Sequence, residues 1–305
     1  MTNNNDELIE QIRRLKKETK AIILSHNYQL GEVQDIADFV GDSLELSQKA
    51  AETNADVIVF CGVHFMAETV SILCPHKTVL LPDMHAGCPL ANMITPQRLL
   101  EKKMEYPQAI VMCYINSSAA VKAESDICCT SANTVRLVQK VPLDKEILFV
   151  PDQYLGSFAA AETGREMILW PGYCPTHIRI QPQDILRLRT EHPHAKVIAH
   201  PECRTEVTAL ADAILSTGGM IRFARESKTK EIIIGTEIGI LHRLRKENPG
   251  KSFIPVSEQA VCPRMKLITL ETILWSLESM EHQVKVPEET RLRAKRAVDR
   301  MLEVL

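Results

Sequence analysis

An internal repeat of about 88 residues constrains the fold of this chain more than any other feature of its sequence. Three polar motifs each occur three times, with steps of 86 or 88 residues between copies. Sequence similarity at a fixed period indicates repeated structural units. The three motifs are the triplets His26-Asn27-Tyr28, Tyr114-Ile115-Asn116 and His200-Pro201-Glu202; the hydroxyl residues Ser43, Ser131 and Thr217; and the cysteines Cys88, Cys174 and Cys262, each followed by proline.

Short apolar runs alternate with helical patterns throughout the repeats, which is typical of βαβ units and a parallel sheet. Four strands are predicted in each repeat, and the polar motifs follow the first, second and fourth of them. The predicted strands are residues 21–25, 39–40, 57–61 and 78–81; 109–113, 127–129, 147–150 and 167–170; and 196–199, 213–215, 231–234 and 252–256.

The fold class predicted from this pattern is α/β. We expect three similar domains, each a small four-stranded parallel sheet with flanking helices, in a pseudo-threefold arrangement around a central active site. The predicted domains are residues 1–90, 91–177 and 178–265, and the C-terminal helices in residues 266–305 are expected to pack on the first. Length alone would suggest two domains for 305 residues, and the repeat replaces that estimate.

All three motifs fall at the carboxyl ends of predicted strands, where open parallel sheets bind their ligands. If the three units face one another, these residues meet in one cleft between domains, a favoured place for small-molecule sites. Each unit then supplies one cysteine, one hydroxyl and one strand-end triplet.

The chain has nine cysteines, and three of them occupy equivalent positions in the repeat. Three thiolates leave a fourth coordination position open for water or substrate, and soft ligands favour zinc or an iron–sulfur cluster. The spacing does not choose between these two, and three core cysteines at equivalent strand ends would give the same pattern. The other six are expected to be small core or loop residues: Cys61, Cys74, Cys113, Cys128, Cys129 and Cys203.

The hydroxyl residues precede predicted helices, where hydroxyls and backbone N–H groups bind phosphate or carboxylate. Helix capping is the alternative role for each one. Among the triplets, Glu202 could act as a general base or acid if enclosure raises its pKa. The histidines could exchange protons with a ligand or be structural.

Composition narrows the possible partners and the location. The chain has 36 basic and 39 acidic residues, so neither a nucleic acid nor an anionic membrane surface is an expected partner. The first 20 residues lack the apolar core of a signal peptide, and residues 57–67 are too few to span a bilayer. We therefore predict a cytoplasmic protein with reduced thiols.

The chain resembles the quinolinate synthase family, and in particular its shorter, compact members. The resemblance runs in order from about residue 20 to residue 280. It is carried by the segments S-H-N-Y-Q, G-D-S, P-D-M-H-A-G-C, C-Y-I-N, T-S-A-N, W-P-G-Y-C-P-T-H, A-H-P-E-C, S-T-G-G-M and C-P-R-M-K.

The resemblance implies condensation of iminoaspartate (iminosuccinate) with dihydroxyacetone phosphate to quinolinate, phosphate and water, in de novo NAD biosynthesis. It also implies one [4Fe–4S] cluster per chain, held by Cys88, Cys174 and Cys262, with one open iron that acts as a Lewis acid. An L-aspartate oxidase would be the expected supplier of iminoaspartate.

The resemblance further implies the residues of the site. Glu202, with His26, Tyr28 and His200, would move protons, while Tyr114 and Asn116 would orient the dicarboxylate. The implied substrate-binding residues are His26, Ser43, Tyr114, Ile115, Asn116, Ser131, His177, His200, Pro201, Glu202 and Thr217.

Two other functions stay open at this point. One is a zinc-dependent lyase or aldolase that acts on a phosphorylated ketose in the same cleft. The other is an iron–sulfur sensor or metabolite-binding protein without catalytic activity. Lys266 and Arg264 could approach an anionic substrate in any of these, or could make solvent or domain contacts.

Overall fold

A computed structural model describes residues 2–304 of the chain. Three four-stranded sheets form its framework, and the strand pairs within them are parallel. In each sheet the second strand lies at one edge and is followed by the first, third and fourth. The prediction of three similar α/β units is confirmed, whereas the exact domain boundaries stay a prediction.

The strands occur where the apolar runs indicate, and each observed end lies within one residue of its predicted position. Central strands such as β3 and β7 are buried along their whole length, because helices cover both faces of a parallel sheet. The strands are β1 (Ala21–His26), β2 (Phe39–Gly41), β3 (Val57–Cys61) and β4 (Thr78–Leu80); β5 (Ile110–Tyr114), β6 (Ile127–Cys129), β7 (Ile147–Val150) and β8 (Ile168–Leu169); and β9 (Lys196–Ala199), β10 (Ala213–Ile214), β11 (Glu231–Gly235) and β12 (Ser252–Pro255).

Helices connect the strands and flank the sheets. Within residues 2–304, none of them combines the length and the apolar character needed to cross a membrane. The helices are α1 (Thr2–Glu18), α2 (Gly31–Ile36), α3 (Ser43–Glu52), α4 (His64–Leu73), α5 (Pro96–Glu105), α6 (Ala119–Ala123), α7 (Thr134–Lys140), α8 (Gln153–Thr163), α9 (Pro182–Glu191), α10 (Thr205–Thr208), α11 (Thr217–Glu226), α12 (Ile240–Glu247), α13 (Leu270–Ser279) and α14 (Glu288–Leu302).

The C-terminal helices contact two of the units. Helix α13 packs against α1 and β3, as expected for a helix on the first unit. Helix α14 instead lies mainly against α6 and β6 of the second unit, with further contacts to α4. The side-chain amide of Asn133 donates to the Met301 and Val304 carbonyls over 3.1 and 3.2 Å. These bonds satisfy carbonyls at the end of α14 and fix that end to the second unit.

Gly172 provides a test of how closely the second cysteine loop packs. It lies two residues before Cys174, and a Cβ added there would stand 2.2 Å from the Pro151 carbonyl oxygen. The Pro151 carbonyl oxygen belongs to the backbone and cannot rotate away from the added Cβ as a side chain could. Gly172→Ala should therefore lower the free energy of unfolding by about 1–3 kcal/mol, measured by urea denaturation. Gly250→Ala is the matched control, since no atom lies within 4 Å of its added Cβ. Equal stability of the two variants would contradict the close packing.

Candidate active site

The carboxyl ends of strands from all three sheets meet at one cavity, as expected for a ligand site shared between domains. Most of the residues predicted for the site line this cavity. Ile115 and Pro201 are buried beside it without forming its wall, so their role stays a prediction. The predicted residues in the wall are His26, Tyr28, Ser43, Cys88, Tyr114, Asn116, Ser131, Cys174, His177, His200, Glu202, Thr217 and Cys262.

Among the polar residues that sequence reasoning did not assign to the site are Thr236 and Glu237, which follow β11. Glu237 lines the cavity, and Thr236 contacts two of its other wall residues. Both lie at the carboxyl end of a third strand, whereas the repeat motifs follow only the first, second and fourth strands. Applying the strand-end rule to the third strands would have found them.

The three repeated cysteines have the same local structure. Each begins a loop that leads through proline into a short 3₁₀ helix: Ala91–Met93, His177–Arg179 and Met265–Leu267. All three side chains are half-buried at the cavity, whereas the other six cysteines are fully buried.

Backbone N–H groups two and three residues after each repeated cysteine donate to its sulfur. Burial raises the pKa of the Cys88 thiol to about 12, while the N–H groups of Ala91 and Leu90 act in the opposite direction. The same two positions donate to Cys174 and to Cys262, whose pKa values burial also raises. Repeated donors aimed at three sulfurs favour thiolates, as required for metal ligands.

The geometry tests whether these thiols fit one ion or a larger group. Two thiolates on a single tetrahedral zinc stand about 3.8 Å apart, because each Zn–S bond is about 2.3 Å. Among residues 2–304, the group of possible ligand atoms found within 4.8 Å of one another is Cys174, His177 and Glu202, and it does not contain the three cysteines. The three thiols are therefore not grouped as closely as three ligands of a single ion would be.

The Cys174, His177 and Glu202 group has a simpler explanation than a metal. His177 Nδ1 lies 2.8 Å from Glu202 Oε2 and 3.1 Å from Cys174 Sγ. A separation of 2.8 Å is a direct hydrogen bond and is shorter than the spacing of two ligands on one tetrahedral ion.

Ser43, Ser131 and Thr217 supply hydroxyls to the cavity wall, and we call them the cavity hydroxyls. Two roles were considered for them from sequence, helix capping and ligand binding, and the capping role belongs to the residues that precede them. Asp42 caps α3 through the N–H groups of Leu44 and Glu45, and Ser216 caps α11 through Gly219. Ser43 and Thr217 come next in the chain and line the cavity. Ser131 follows Thr130, whose hydroxyl bonds within its own turn. The cavity hydroxyls are therefore available to a ligand.

His26 and His200 occupy equivalent strand ends and have equivalent hydrogen bonds. Nδ1 of His26 accepts from Tyr28 N over 3.2 Å, and Nδ1 of His200 accepts from Glu202 N over 3.3 Å. Burial lowers the pKa of each imidazole to about 3. Both rings are therefore neutral near pH 7, with the hydrogen on Nε2 available for donation.

Glu202 is the buried carboxylate at the centre of the site. Burial alone would raise its pKa, but the charge and hydrogen bond of His177, with further contributions from His200 and Tyr114, lower it to about 2. Asn116 Nδ2 also donates to Oε1 over 3.2 Å. The condition considered from sequence, a pKa raised by enclosure, is therefore not met, because enclosure brings hydrogen-bond donors with it. At neutral pH Glu202 is therefore ionised and accepts hydrogen bonds.

Tyr28 is connected to this carboxylate through His177. Its hydroxyl lies 2.5 Å from Thr236 Oγ1, which in turn lies 2.8 Å from His177 Nε2. Burial and the nearby Glu202 charge raise the Tyr28 pKa well above its usual range, so the phenol is neutral. The path Tyr28–Thr236–His177–Glu202 is a continuous hydrogen-bonded route for a proton.

Lys266 and Arg264 make protein contacts here. Lys266 Nζ donates to the Tyr28 carbonyl and pairs with Glu237 Oε1 over 3.0 Å. The same Glu237 oxygen accepts from Cys262 N over 3.0 Å, so the ion pair holds the third cysteine loop against the Tyr28 segment. Arg264 donates to the His85 carbonyl.

The fold and the site define a class of protein: three repeated α/β units that share one internal site, with one cysteine from each. The chain belongs to the family described as quinolinate synthetase A protein, whose model matches residues 10–303. It is 62% identical over 294 residues to a quinolinate synthase of Dehalococcoides mccartyi, covering 96% of this chain and 97% of the relative. It is 55% identical to the quinolinate synthases of Desulforudis audaxviator and Methanosarcina barkeri, in each case over 298 residues and 98% of both chains.

The two neutral histidines predict how stability depends on pH. Each has a folded pKa of about 3 and an ordinary value of 6.5, so the unfolded chain binds more protons below pH 6.5. Stability is therefore fully present above pH 6.5 and falls as pH decreases, by up to about 1.4 kcal/mol per pH unit for each ring. Between pH 6 and pH 5, urea unfolding of metal-free His26→Asn should show a shallower pH dependence than wild type. Identical slopes would contradict a neutral His26.

Proposed function

We propose that this chain catalyses the condensation of iminoaspartate with dihydroxyacetone phosphate to quinolinate, phosphate and water, a step of NAD biosynthesis. The observation that carries the proposal is the convergence of Cys88, Cys174 and Cys262, with matching N–H···S donors, on a cavity lined by neutral hydrogen-bond donors. Family membership and relatives named quinolinate synthase support the same activity.

The cofactor in this proposal is a [4Fe–4S] cluster with these three cysteines as its ligands. When bound, it supplies an iron with an open coordination position that acts as a Lewis acid toward a substrate hydroxyl. Thiol spacing too wide for one ion and two donors at each sulfur support this choice.

The groups that would bind the two substrates carry no positive charge. Ser43, Ser131 and Thr217 would hold phosphate and carboxylate oxygens, since each is a cavity hydroxyl next to a residue that bonds within its own turn or caps its helix. The Nε2–H groups of His26 and His200 would donate to further substrate oxygens. Tyr114 and Asn116 would orient the dicarboxylate, and holding both substrates together lowers the barrier to ring closure.

Proton transfer would begin at Glu202. Its carboxylate would accept a proton from substrate, because it is ionised and surrounded by donors. The phenol of Tyr28 would return a proton to a leaving oxygen, since its raised pKa keeps it protonated until that step. Thr236 and His177 would connect the two residues.

We further propose a cytoplasmic location and functional coupling to an L-aspartate oxidase, which would supply the unstable imine. All nine cysteines are free thiols, which suits a reducing compartment.

Replacement of each ligand cysteine tests the cluster. Cys88→Ala, Cys174→Ala and Cys262→Ala should each lose the brown colour, the iron and sulfide (about four of each per chain in the wild type) and quinolinate formation. Cys61→Ala, Cys129→Ala and Cys203→Ala are the controls, because these thiols are fully buried away from the cavity wall. A ligand variant that keeps its cluster and turnover would be removed from the ligand set. A colourless wild type with one zinc would favour the lyase alternative.

Glu202→Gln tests proton transfer separately from the cluster. The amide keeps the size of the side chain and an acceptor for Asn116 but cannot accept the substrate proton. We expect normal iron content and quinolinate formation slower by about 10²- to 10⁴-fold. Glu206→Gln, at an exposed position on α10, is the control. Near-normal turnover of Glu202→Gln would refute the role of this carboxylate. A cluster-bearing wild type that forms no quinolinate would favour the sensor alternative.

A further inference from the structure

A two-step hydrogen-bond chain that starts outside the cavity holds Thr217, one of the three cavity hydroxyls. Asn27 Nδ2 donates to Thr217 Oγ1 over 2.9 Å. Arg243 Nη1, on α12, donates to Asn27 Oδ1 over 3.0 Å and to the Val40 carbonyl over 2.7 Å. Asn27 is fully buried, so water does not compete for its amide.

Arg243 determines the direction of both hydrogen bonds. A guanidinium group only donates, so the oxygen of the Asn27 amide must face it and the amide nitrogen must face Thr217. Thr217 Oγ1 therefore accepts, and its own hydrogen is not used in that bond. Within residues 2–304 this hydroxyl donates to no other group, so its hydrogen is free to point into the cavity.

We propose that Arg243 and Asn27 are positioning residues that hold the Thr217 hydroxyl as a donor toward an anionic oxygen of the ligand. The inference rests on the proposed function, in which Thr217 binds a phosphate or carboxylate oxygen. An anion requires donors, and a hydroxyl that already points its hydrogen inward needs no reorientation on binding. Arg243 thus lies outside the cavity, yet it determines that the Thr217 hydroxyl acts as a donor inside it.

Asn27→Asp reverses this polarity with almost no change in shape. A carboxylate only accepts, so it keeps its bond to Arg243 but requires Thr217 to donate to it, which turns oxygen lone pairs toward the ligand. The variant also adds a negative charge, and a double-mutant cycle with Thr217→Val separates the two effects. The added charge weakens anion binding whether or not Thr217 is present, whereas the reversed hydrogen bond weakens it only when the Thr217 hydroxyl is present.

The experiment is calorimetric titration of the cluster-bearing protein with inorganic phosphate and with quinolinate. In the protein that keeps Thr217, we expect Asn27→Asp to weaken the binding of phosphate, of quinolinate or of both by about 10- to 100-fold. In the Thr217→Val protein, we expect the same substitution to weaken binding by only a few-fold. The probe whose binding is weakened shows whether Thr217 donates to a phosphate oxygen or to a carboxylate oxygen. Equal losses in the two backgrounds, or no loss in either, would overturn the inference.

A second set of variants keeps the test decisive if Asn27→Asp does not fold. Arg243→Met removes the donor that orients Asn27 and should weaken the same probe, whereas Arg243→Lys, which also only donates, should restore binding. Arg245→Met is the control, because Arg245 lies on the same helix and donates to the Phe253 carbonyl. Weakening in Arg243→Lys as large as in Arg243→Met overturns the inference. Quinolinate formation by the wild type tests the proposed function independently, since anion binding is measured without turnover.

Discussion

Parallel pairing of the strands is the constraint on which the rest of this structure depends. In a parallel sheet all carboxyl ends lie at one edge, so each unit presents its polar strand-end residues on one side only. The identical strand order in the three sheets puts equivalent residues at equivalent places on that edge. His26, Tyr114 and His200 end or follow the first strand of their sheets, and all three line the same cavity. No unit holds a complete site, so binding and catalysis require all three to stay together.

At the starts of α3 and α11, two adjacent residues have different roles: the first caps the helix and the second lines the cavity. Asp42 and Ser216 satisfy the first N–H groups of α3 and α11, and they also bond to each other across two units over 3.1 Å. Their neighbours Ser43 and Thr217 are then free of any capping role. One residue thus stabilises the helix and the interface between units, while the next residue faces the ligand. In the second unit Thr130 bonds within its own turn instead of capping a helix, and Ser131 again lines the cavity.

Much of the fold follows from the sequence because its strands are apolar runs with polar residues at both ends. Strand β3 is predicted with its observed bounds, since Val57 to Cys61 are all buried and leave no ambiguity. The placement of α14 is different, because its apolar stripe would fit any exposed sheet or helix face. Its position depends on the amide of Asn133, which is distant in sequence and carries no periodic signal. Residues with a repeated role were therefore predictable, and those with a unique long-range partner were not. Thr236 combines both cases: its position after β11 follows the strand-end rule, whereas its bonds to Tyr28 and His177 are long-range and carry no sequence signal.

The electrostatics of the cavity also depend on long-range partners, which is why the sequence alone does not determine the direction of the Glu202 pKa shift. Burial acts on any enclosed carboxyl in the same way, but the sign of the net shift is decided by the groups that the fold brings to it. Here His177 from the second unit reaches a carboxylate of the third, and together with His200 and Tyr114 it outweighs burial, the largest single effect on this pKa. His26 and His200 accept a backbone N–H at Nδ1, and burial keeps both rings neutral. The cavity thus places the Glu202 carboxylate beside neutral donors, while the Glu237 carboxylate in its wall is paired with Lys266. A positively charged ligand group, such as a protonated imine, and an anionic oxygen can therefore both find a partner in the same site.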